Sequence, residues 1–180
     1  MKVIETSLPD VLLLEPRVFE DERGYFYESY NRRMLKDLGL DWEFVQDNHS
    51  RSRGGVLRGL HYQIQRPQGK LVRVVEGEIF DVAVDIRRTS PTFGKWVGFN
   101  LSGNSKIAAW IPPGFAHGFL VVSEEAEVIY KTTEYWYPQY ERCMRWDDPA
   151  LQITWPLNKS PVISERDEGG LDLSEAEVYD

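Results

Sequence analysis

Hydrophobic and polar positions along this chain fall into short strand-like runs, separated by turn signals. Turns such as Gly54-Gly55, Glu76-Gly77 and Pro113-Gly114 recur at roughly the ten-residue spacing that is typical of a sandwich or barrel. One short helix is predicted from Asn31 to Leu38, with Gly39 just beyond its end. The pattern predicts strands over residues 25–30, 42–48, 56–63, 70–87, 95–101, 106–112, 118–123 and 127–137.

The strand that follows Gly77 has two faces of different character. One face is apolar, which predicts burial against a second sheet. The other mixes small residues with carboxylates, a combination typical of a cavity wall. An all-β double-sheet jelly roll with a few short helices and a ligand inside the barrel accommodates both faces. The apolar face comprises Phe80, Val82, Val84 and Ile86, and the mixed face comprises Ile79, Asp81, Ala83 and Asp85.

The whole chain, residues 1–180, is expected to form a single domain, because no linker or repeat divides it. The segment from about residue 147 to 180 is richer in charge and poorer in strand pattern. We expect it to pack over the barrel as short turns or a helix.

Composition and charge narrow the possible functions. Aromatic residues make up 13% of the chain, a load that disordered chains lack. A net charge of -8 argues against nucleic-acid binding.

The single Cys143 excludes an internal disulfide and a Cys-rich zinc site, and we expect it to be a half-buried residue that only fills space in the packing. The apolar run Val11–Leu14 is too short for a membrane span or signal segment, so we expect a cytoplasmic protein without membrane contact.

His61 is the strongest catalytic candidate, because Arg58 and Lys70 gather positive charge around it in an acidic chain. Strict alternation would place Arg58 and His61 on opposite faces of their strand. A bulge at Gly59 would bring them onto one face, and the sequence alone leaves this open. An ordinary strand with exposed cations is the competing interpretation.

The other two histidines differ in their surroundings. His117 lies between Ala116 and Gly118, whose small size lets a backbone or ligand approach closely. His117 fits either a catalytic or binding site, or a structural position where it is hydrogen-bonded inside the barrel mouth. His49 does not have small residues on both sides in this way, and it is interpreted as a surface residue. The chain has neither a His-x-His nor a His-x-x-x-His pair, so we expect no metal site.

Aromatic residues in the run 127–137 are candidates for a cavity wall. In one extended strand Tyr130 and Trp136 would share a side, the first as a possible proton donor and the second as a stacking platform. A core strand is the alternative. Near the end of the chain, Arg166 and Asp167 form a charged pair that is usually solvated surface.

These segments together resemble the dTDP-4-dehydrorhamnose 3,5-epimerases of the cupin superfamily. The resemblance runs through "DERGYFYESYN", "FVQDNHSRS", "GVLRGLHYQ", "PQGKLVRVVEGEIFDVAVDIRR" and "IPPGFAHGF" to "LQITWP", nearly the whole chain. It implies a cupin barrel that inverts C3 and C5 of dTDP-4-dehydro-6-deoxy-D-glucose, without cofactor or metal, as a homodimer whose N-terminal strands lie at the interface.

The resemblance also implies roles for particular residues. His61 would be the base with Asp167 as its partner, Tyr130 the acid, and Lys70 the group beside the C4 oxygen. Trp136, where the family commonly has tyrosine, would stack on the thymine, and the tail after Asp167 departs from the family pattern. The remaining substrate-binding residues would be Arg23, which could reach the partner's site, Phe26, Glu28, Gln46, Asp47, Asn48, Arg58, His117 (with Asp81), Glu141 and Arg166.

Three alternatives stay open on sequence grounds. A relative on the same scaffold could invert only one carbon or move the keto group. A non-catalytic sugar-nucleotide-binding cupin would keep the ligand and lack the chemistry. A metal-dependent dioxygenase is the third alternative.

Overall fold

The computed structural model describes residues 1–180 and contains two short α-helices and thirteen strands. The helices are α1 (Arg32–Asp37) and α2 (Glu165–Glu168), and a 3-10 turn spans Pro138–Tyr140. The strands are β1 (Lys2–Glu5), β2 (Leu12–Glu15), β3 (Phe19–Asp21), β4 (Gly24–Phe26), β5 (Gln46–Arg53), β6 (Leu57–Gln63), β7 (Lys70–Glu76), β8 (Glu78–Asp85), β9 (Trp96–Ser102), β10 (Ala108–Ile111), β11 (Phe115–Val121), β12 (Glu125–Thr132) and β13 (Glu141–Cys143).

Two antiparallel sheets form the body of the protein. The six-stranded sheet has the order β1-β2-β10-β7-β12-β5, and the five-stranded sheet has the order β13-β6-β11-β8-β9. Strands that are distant in sequence lie side by side in both sheets, as in a jelly roll. The predicted all-β jelly-roll class is confirmed.

The core between the sheets is built from side chains of both. Val72 and Val74 of β7 pack with Ile79 and Ala83 of β8 and with Phe119 of β11. The mixed face of β8 therefore points to the other sheet. The prediction that the apolar face would do so is wrong.

The apolar face of β8 is covered instead by the C-terminal segment. Val82, Val84 and Ile86 pack against Leu151 and Trp155. A charged tail without a regular strand pattern supplies this cover through scattered apolar residues such as Leu151, Trp155 and Ala176, so the pattern of β8 alone could not show which face lies inside. Residues 147–180 thus form a third layer on the outside of the five-stranded sheet.

Several element boundaries differ from the sequence pattern. Helix α1 forms where predicted, and the Asn31 side chain accepts a hydrogen bond from the Met34 amide as its N-cap. The predicted strand 127–137 ends at Thr132, whose hydroxyl donates to the Glu134 carbonyl and starts a turn. Trp136 is therefore on a loop, and the expectation that it shares a strand face with Tyr130 is wrong.

The N-terminal hairpin of β3 and β4 stands apart from both sheets. It exposes Phe19, Tyr25 and Phe26, of which Phe26 is 69% exposed. Such a group of large apolar side chains on one hairpin is typical of an interaction surface. No helix in the chain is long and apolar enough to span a membrane.

Candidate active site

An irregularity in β6 brings Arg58 and His61 to the same side of their strand. β11 pairs His117 with His61 and Phe119 with Arg58, so β6 has one residue more than β11 between these pairs. A Cβ on Gly59 would lie 2.5 Å from the Gly118 Cα, and its φ of +123° favours glycine. The bulge that the sequence left open is present, and both side chains face the six-stranded sheet, where Arg58 Nε donates to the Ser52 hydroxyl.

A cavity of about 250 Å³ opens between the two sheets at this point. Strands of both sheets contribute to its wall, as does the loop after β12. It is lined by Gln46, Asn48, His61, Tyr62, Gln63, Gln68, Lys70, Tyr130, Trp136 and Glu141.

His61 is paired with Asp167, a carboxylate from the third layer. The His61 Nε2 lies 2.5 Å from the Asp167 Oδ1. Burial raises the pKa of Asp167, but its bonds to His61 and Ser164 outweigh this and hold the pKa below its ordinary value. The carboxylate therefore stays charged and orients the imidazole.

Lys70 lies at the start of β7 and is almost fully buried. Its Nζ donates to the His61 carbonyl over 3.3 Å. Burial lowers the pKa of Lys70 to about 8, although the charges of Glu141 and Asp81 oppose this shift. The ammonium group is thus charged at neutral pH and lies in a dry setting, where it can stabilise a developing oxyanion.

Tyr130 faces His61 from the other sheet. It lies on β12 opposite Asn48 of β5, and both residues line the cavity. Burial raises the pKa of the Tyr130 hydroxyl, and Glu141 raises it further. The hydroxyl therefore keeps its proton at neutral pH and can donate it.

Trp136, Glu141 and Arg166 form a connected group at the cavity. The Trp136 Nε1 donates to the Glu141 Oε2 over 2.7 Å, and Arg166 forms an ion pair with the other oxygen of Glu141. Burial raises the pKa of Glu141, but these two partners together lower it below its ordinary value. Arg166 and Asp167 both lie on α2. Asp167 is buried and not solvated surface, whereas the Arg166 side chain stays 47% exposed while it pairs with Glu141.

His117 and Asp81 form a second buried pair, with the His117 Nε2 2.9 Å from the Asp81 Oδ2. Burial lowers the pKa of His117, although Asp81 opposes this, so the imidazole is neutral at neutral pH. His117 pairs directly with His61 across β11 and β6 but does not line the cavity. Directly paired residues point to the same face of a sheet, so His117 lies beside His61 and supports it from the neighbouring strand.

Seven residues expected to bind substrate do not line the cavity of their own chain. Arg58 and His117 lie on β6 and β11 beside His61, and Arg166 pairs with Glu141. The other four lie away from the cavity. Asp47 lies between Gln46 and Asn48 on β5, so alternation turns it to the outer face, where it pairs with Lys131. Glu28 accepts a hydrogen bond from Asn31 at the start of α1. Arg23 and Phe26 lie on the exposed N-terminal hairpin, around a separate depression.

Three lining residues were missed by sequence reasoning. Gln63 lies two positions after His61 on β6, so the strand period of two from this candidate would have found it. Gln68 lies in the connection before β7 begins at Lys70, where no strand period applies. Tyr62 has no such signal. Its hydroxyl donates to the Glu177 carbonyl of the third layer, a contact that only the fold creates.

The donor atoms of His61, Cys143 and Asp167 lie within 4.8 Å of one another, which is the one arrangement here that could hold a metal ion. Burial raises the pKa of the Cys143 thiol to about 12, and Asp167 adds to the shift. Metals bind the thiolate, so this donor set is poorly suited to one. Cys143 is half-buried, as expected, but it also contacts the Asp167 carboxylate over 3.7 Å.

Known proteins are similar to this chain both in sequence and in fold. The family model described as dTDP-4-dehydrorhamnose 3,5-epimerase matches residues 5–175. A dTDP-4-dehydrorhamnose 3,5-epimerase of Pseudomonas aeruginosa is 58% identical over 99% of this chain and 99% of the relative. One from Escherichia coli is 52% identical, over 97% of this chain and 96% of the relative.

A solved epimerase from Legionella pneumophila, in complex with dTDP-4-keto-L-rhamnose, superimposes with a TM-score of 0.96 at 50% identity. The match covers 98% of this chain and 94% of that structure. A 3'-monoepimerase from Streptomyces bikiniensis, in complex with dTDP-quinovose, has a TM-score of 0.88 at 31% identity, over 94% of this chain and 87% of that structure. By sequence over its full length and by fold, this chain belongs to the dTDP-4-dehydrorhamnose 3,5-epimerase family.

Proposed function

We propose that this protein carries out the reaction for which its family is named, inverting C3 and C5 of dTDP-4-dehydro-6-deoxy-D-glucose to give dTDP-4-dehydro-L-rhamnose. Both carbons lie next to the C4 ketone, so removal of either hydrogen gives an enolate. His61 takes the proton, Tyr130 returns one to the opposite face, and Lys70 stabilises the oxygen of the enolate. The reaction needs no metal or organic cofactor, since the Lys70 ammonium group supplies the positive charge that stabilises the enolate oxygen.

The observation that carries this proposal is the placement of a base and an acid on opposite walls of one cavity. His61, backed by Asp167, comes from the five-stranded sheet, and Tyr130 comes from the six-stranded sheet. An epimerase needs this arrangement, because proton removal and return must occur on different faces of the sugar ring. Lys70 lines the same cavity, within reach of a bound carbonyl.

The nucleotide part of the substrate is assigned to the group at the cavity mouth. Trp136 stacks on the thymine, and the guanidinium groups of Arg58 and Arg166 face the diphosphate, whose oxygens they match in geometry. Gln46 and Asn48 offer amide groups from β5. Trp136 supplies the flat surface of the commoner tyrosine without its hydroxyl, while its indole N–H is held by Glu141.

A homodimer explains the residues that lie away from the cavity. The exposed N-terminal hairpin bears Arg23 and Phe26, and β5 is an eight-residue edge strand whose outer backbone groups can pair with another chain. Arg23, Phe26 and Glu28 then complete the site of the partner rather than their own. The cytoplasmic location expected from the sequence stays a prediction.

Light scattering should therefore give about twice the chain mass of 20.9 kDa. Mixing unfolded Arg23→Ala and His61→Asn chains and refolding them together should restore roughly a quarter of wild-type activity, since half the dimers then hold one intact site. A monomer in solution would contradict the dimer, and no recovery in the mixture would contradict a partner's Arg23 in the site.

The test of the reaction itself is isotope incorporation. In D2O the purified protein should place deuterium at both C3 and C5 of the sugar, with NMR spectroscopy locating the label and the configuration at each carbon. Label and inversion at one carbon only would support a single-carbon epimerase, the activity named for the structurally similar monoepimerase at 31% identity. No label at either carbon would support a binding protein without catalysis.

A further inference from the structure

Gln63 lies beside the loop that carries Trp136, and its side-chain amide is bonded to the backbone of two segments there. Its Nε2 donates to the Arg66 carbonyl over 2.8 Å and to the Tyr135 carbonyl over 3.2 Å. Its Oε1 accepts a hydrogen bond from the Tyr137 amide over 2.6 Å. Gln63 is 2% exposed.

The number of hydrogen bonds that the Gln63 side chain can make indicates whether it binds substrate or only supports the protein around it. A glutamine side chain has two N–H donors, and both donors of Gln63 are used within the protein. The residue lines the cavity, yet it has no N–H left to offer a ligand. Its Oε1 keeps one lone pair, but the residue is 2% exposed, so we infer that its main contribution passes through the residues that it holds.

The bonds to Tyr135 and Tyr137 lie on either side of Trp136. Strand β12 ends at Thr132, so no sheet ladder fixes this stretch. Gln63 itself is firmly placed, because it pairs with Glu141 of β13 and its carbonyl accepts a hydrogen bond from the Tyr179 hydroxyl. The Trp136 amide itself donates to the Gln46 Oε1 over 3.1 Å. Gln63 and Gln46 therefore act together in place of a strand neighbour for the Trp136 loop.

We propose that Gln63 is a positioning residue that sets the affinity for the nucleotide by holding Trp136 in its stacking orientation. The inference rests on the proposed contact between Trp136 and thymine. It assigns Gln63 no part in proton transfer, which belongs to side chains that it does not touch.

Gln63→Leu should weaken the binding of dTDP, measured by calorimetry, about tenfold, since two hydrogen bonds to the Trp136 loop and one to the Arg66 carbonyl are lost. KM should rise by a similar factor, while kcat should stay within about threefold because His61, Tyr130 and Lys70 are untouched. The matched control is Gln65→Leu, which replaces an exposed glutamine of the same segment and should leave both constants unchanged. A fall in kcat with KM unchanged would overturn the proposal.

A double-mutant cycle shows whether Gln63 acts through Trp136. Trp136→Ala alone should weaken dTDP binding, and adding Gln63→Leu should then weaken it little further, because the side chain to be positioned is gone. Fully additive losses would overturn the proposal. If Gln63→Leu does not fold, Gln63→Glu serves in its place, since it keeps the acceptor for Tyr137 and loses both donors.

Failure of the inference and failure of the proposed function give different results in this cycle. If Trp136→Ala leaves dTDP affinity unchanged, the stacking role of Trp136 is wrong, and the role of Gln63 falls with it. If Trp136→Ala weakens binding and Gln63→Leu does not, only the role of Gln63 is wrong.

Discussion

Replacing His61 with asparagine should lower the rate of epimerisation by about 10²- to 10⁴-fold, the range for loss of a general base. Asparagine is close in size and can still bond to Asp167, but it cannot accept a proton at neutral pH. Deuterium incorporation from D2O should fall with turnover, since the proposed base that removes the proton is gone. Steady-state kinetics and NMR of the recovered sugar measure both effects.

The affinity for dTDP should change by no more than about twofold in this variant, because His61 acts on the sugar and not on the nucleotide. His49→Asn is the matched control. His49 is exposed on the outer face of β5, where it contacts Glu127, and its replacement should leave turnover unchanged. If His61→Asn kept more than a tenth of the wild-type rate, His61 could not be the base.

Replacing Tyr130 with phenylalanine should lower formation of the inverted product by about 10²- to 10⁴-fold, for loss of the general acid. The ring stays and only the hydroxyl goes, so the wall of the cavity keeps its shape. His61 and Lys70 are intact, and they still allow a proton to leave and return from the same face. The substrate should therefore gain deuterium in D2O with its configuration retained.

This exchange without inversion separates the acid from the base, because the His61 variant should show neither exchange nor inversion. Tyr30→Phe is the matched control, since Tyr30 packs edge-on against Phe44 away from the cavity. Loss of exchange together with inversion in Tyr130→Phe would assign the hydroxyl to proton removal or to enolate binding instead. Normal inversion would remove Tyr130 from the mechanism.

Much of the site was predictable because its residues lie in ordered strands with strong local motifs. His61, Lys70 and Tyr130 lie on β6, β7 and β12 and line the cavity as expected. Their strand positions fix the direction of each side chain once one member of the set is known to face inward. Asp47 shows the limit of motif reasoning, since "QDN" was taken as a unit although alternation sends its middle residue to the other face.

Contacts between distant segments were not predictable in the same way. Trp136 reaches the cavity from a loop and not from a strand. Gln63 bonds to the backbone of Tyr135 and Tyr137 on either side of it, and the distant Gln46 accepts a hydrogen bond from the Trp136 amide. Asp167 meets His61 only because the C-terminal segment brings α2 to the edge of the five-stranded sheet, where Cys143 of the edge strand β13 pairs with His61 and contacts Asp167. Neither contact leaves a periodic signal in the sequence.

The sequence by itself determined the all-β class, the helix capped by Asn31, the absence of a disulfide and the family. These depend on local pattern, residue counts and long matching motifs. Only the tertiary structure decided which face of β8 lies inside and which layer covers its other face. It also decided that the bulge at Gly59 of β6 turns Arg58 and His61 to the same side. The physical reason is that burial is decided by what packs against a surface, and that partner can come from anywhere in the chain.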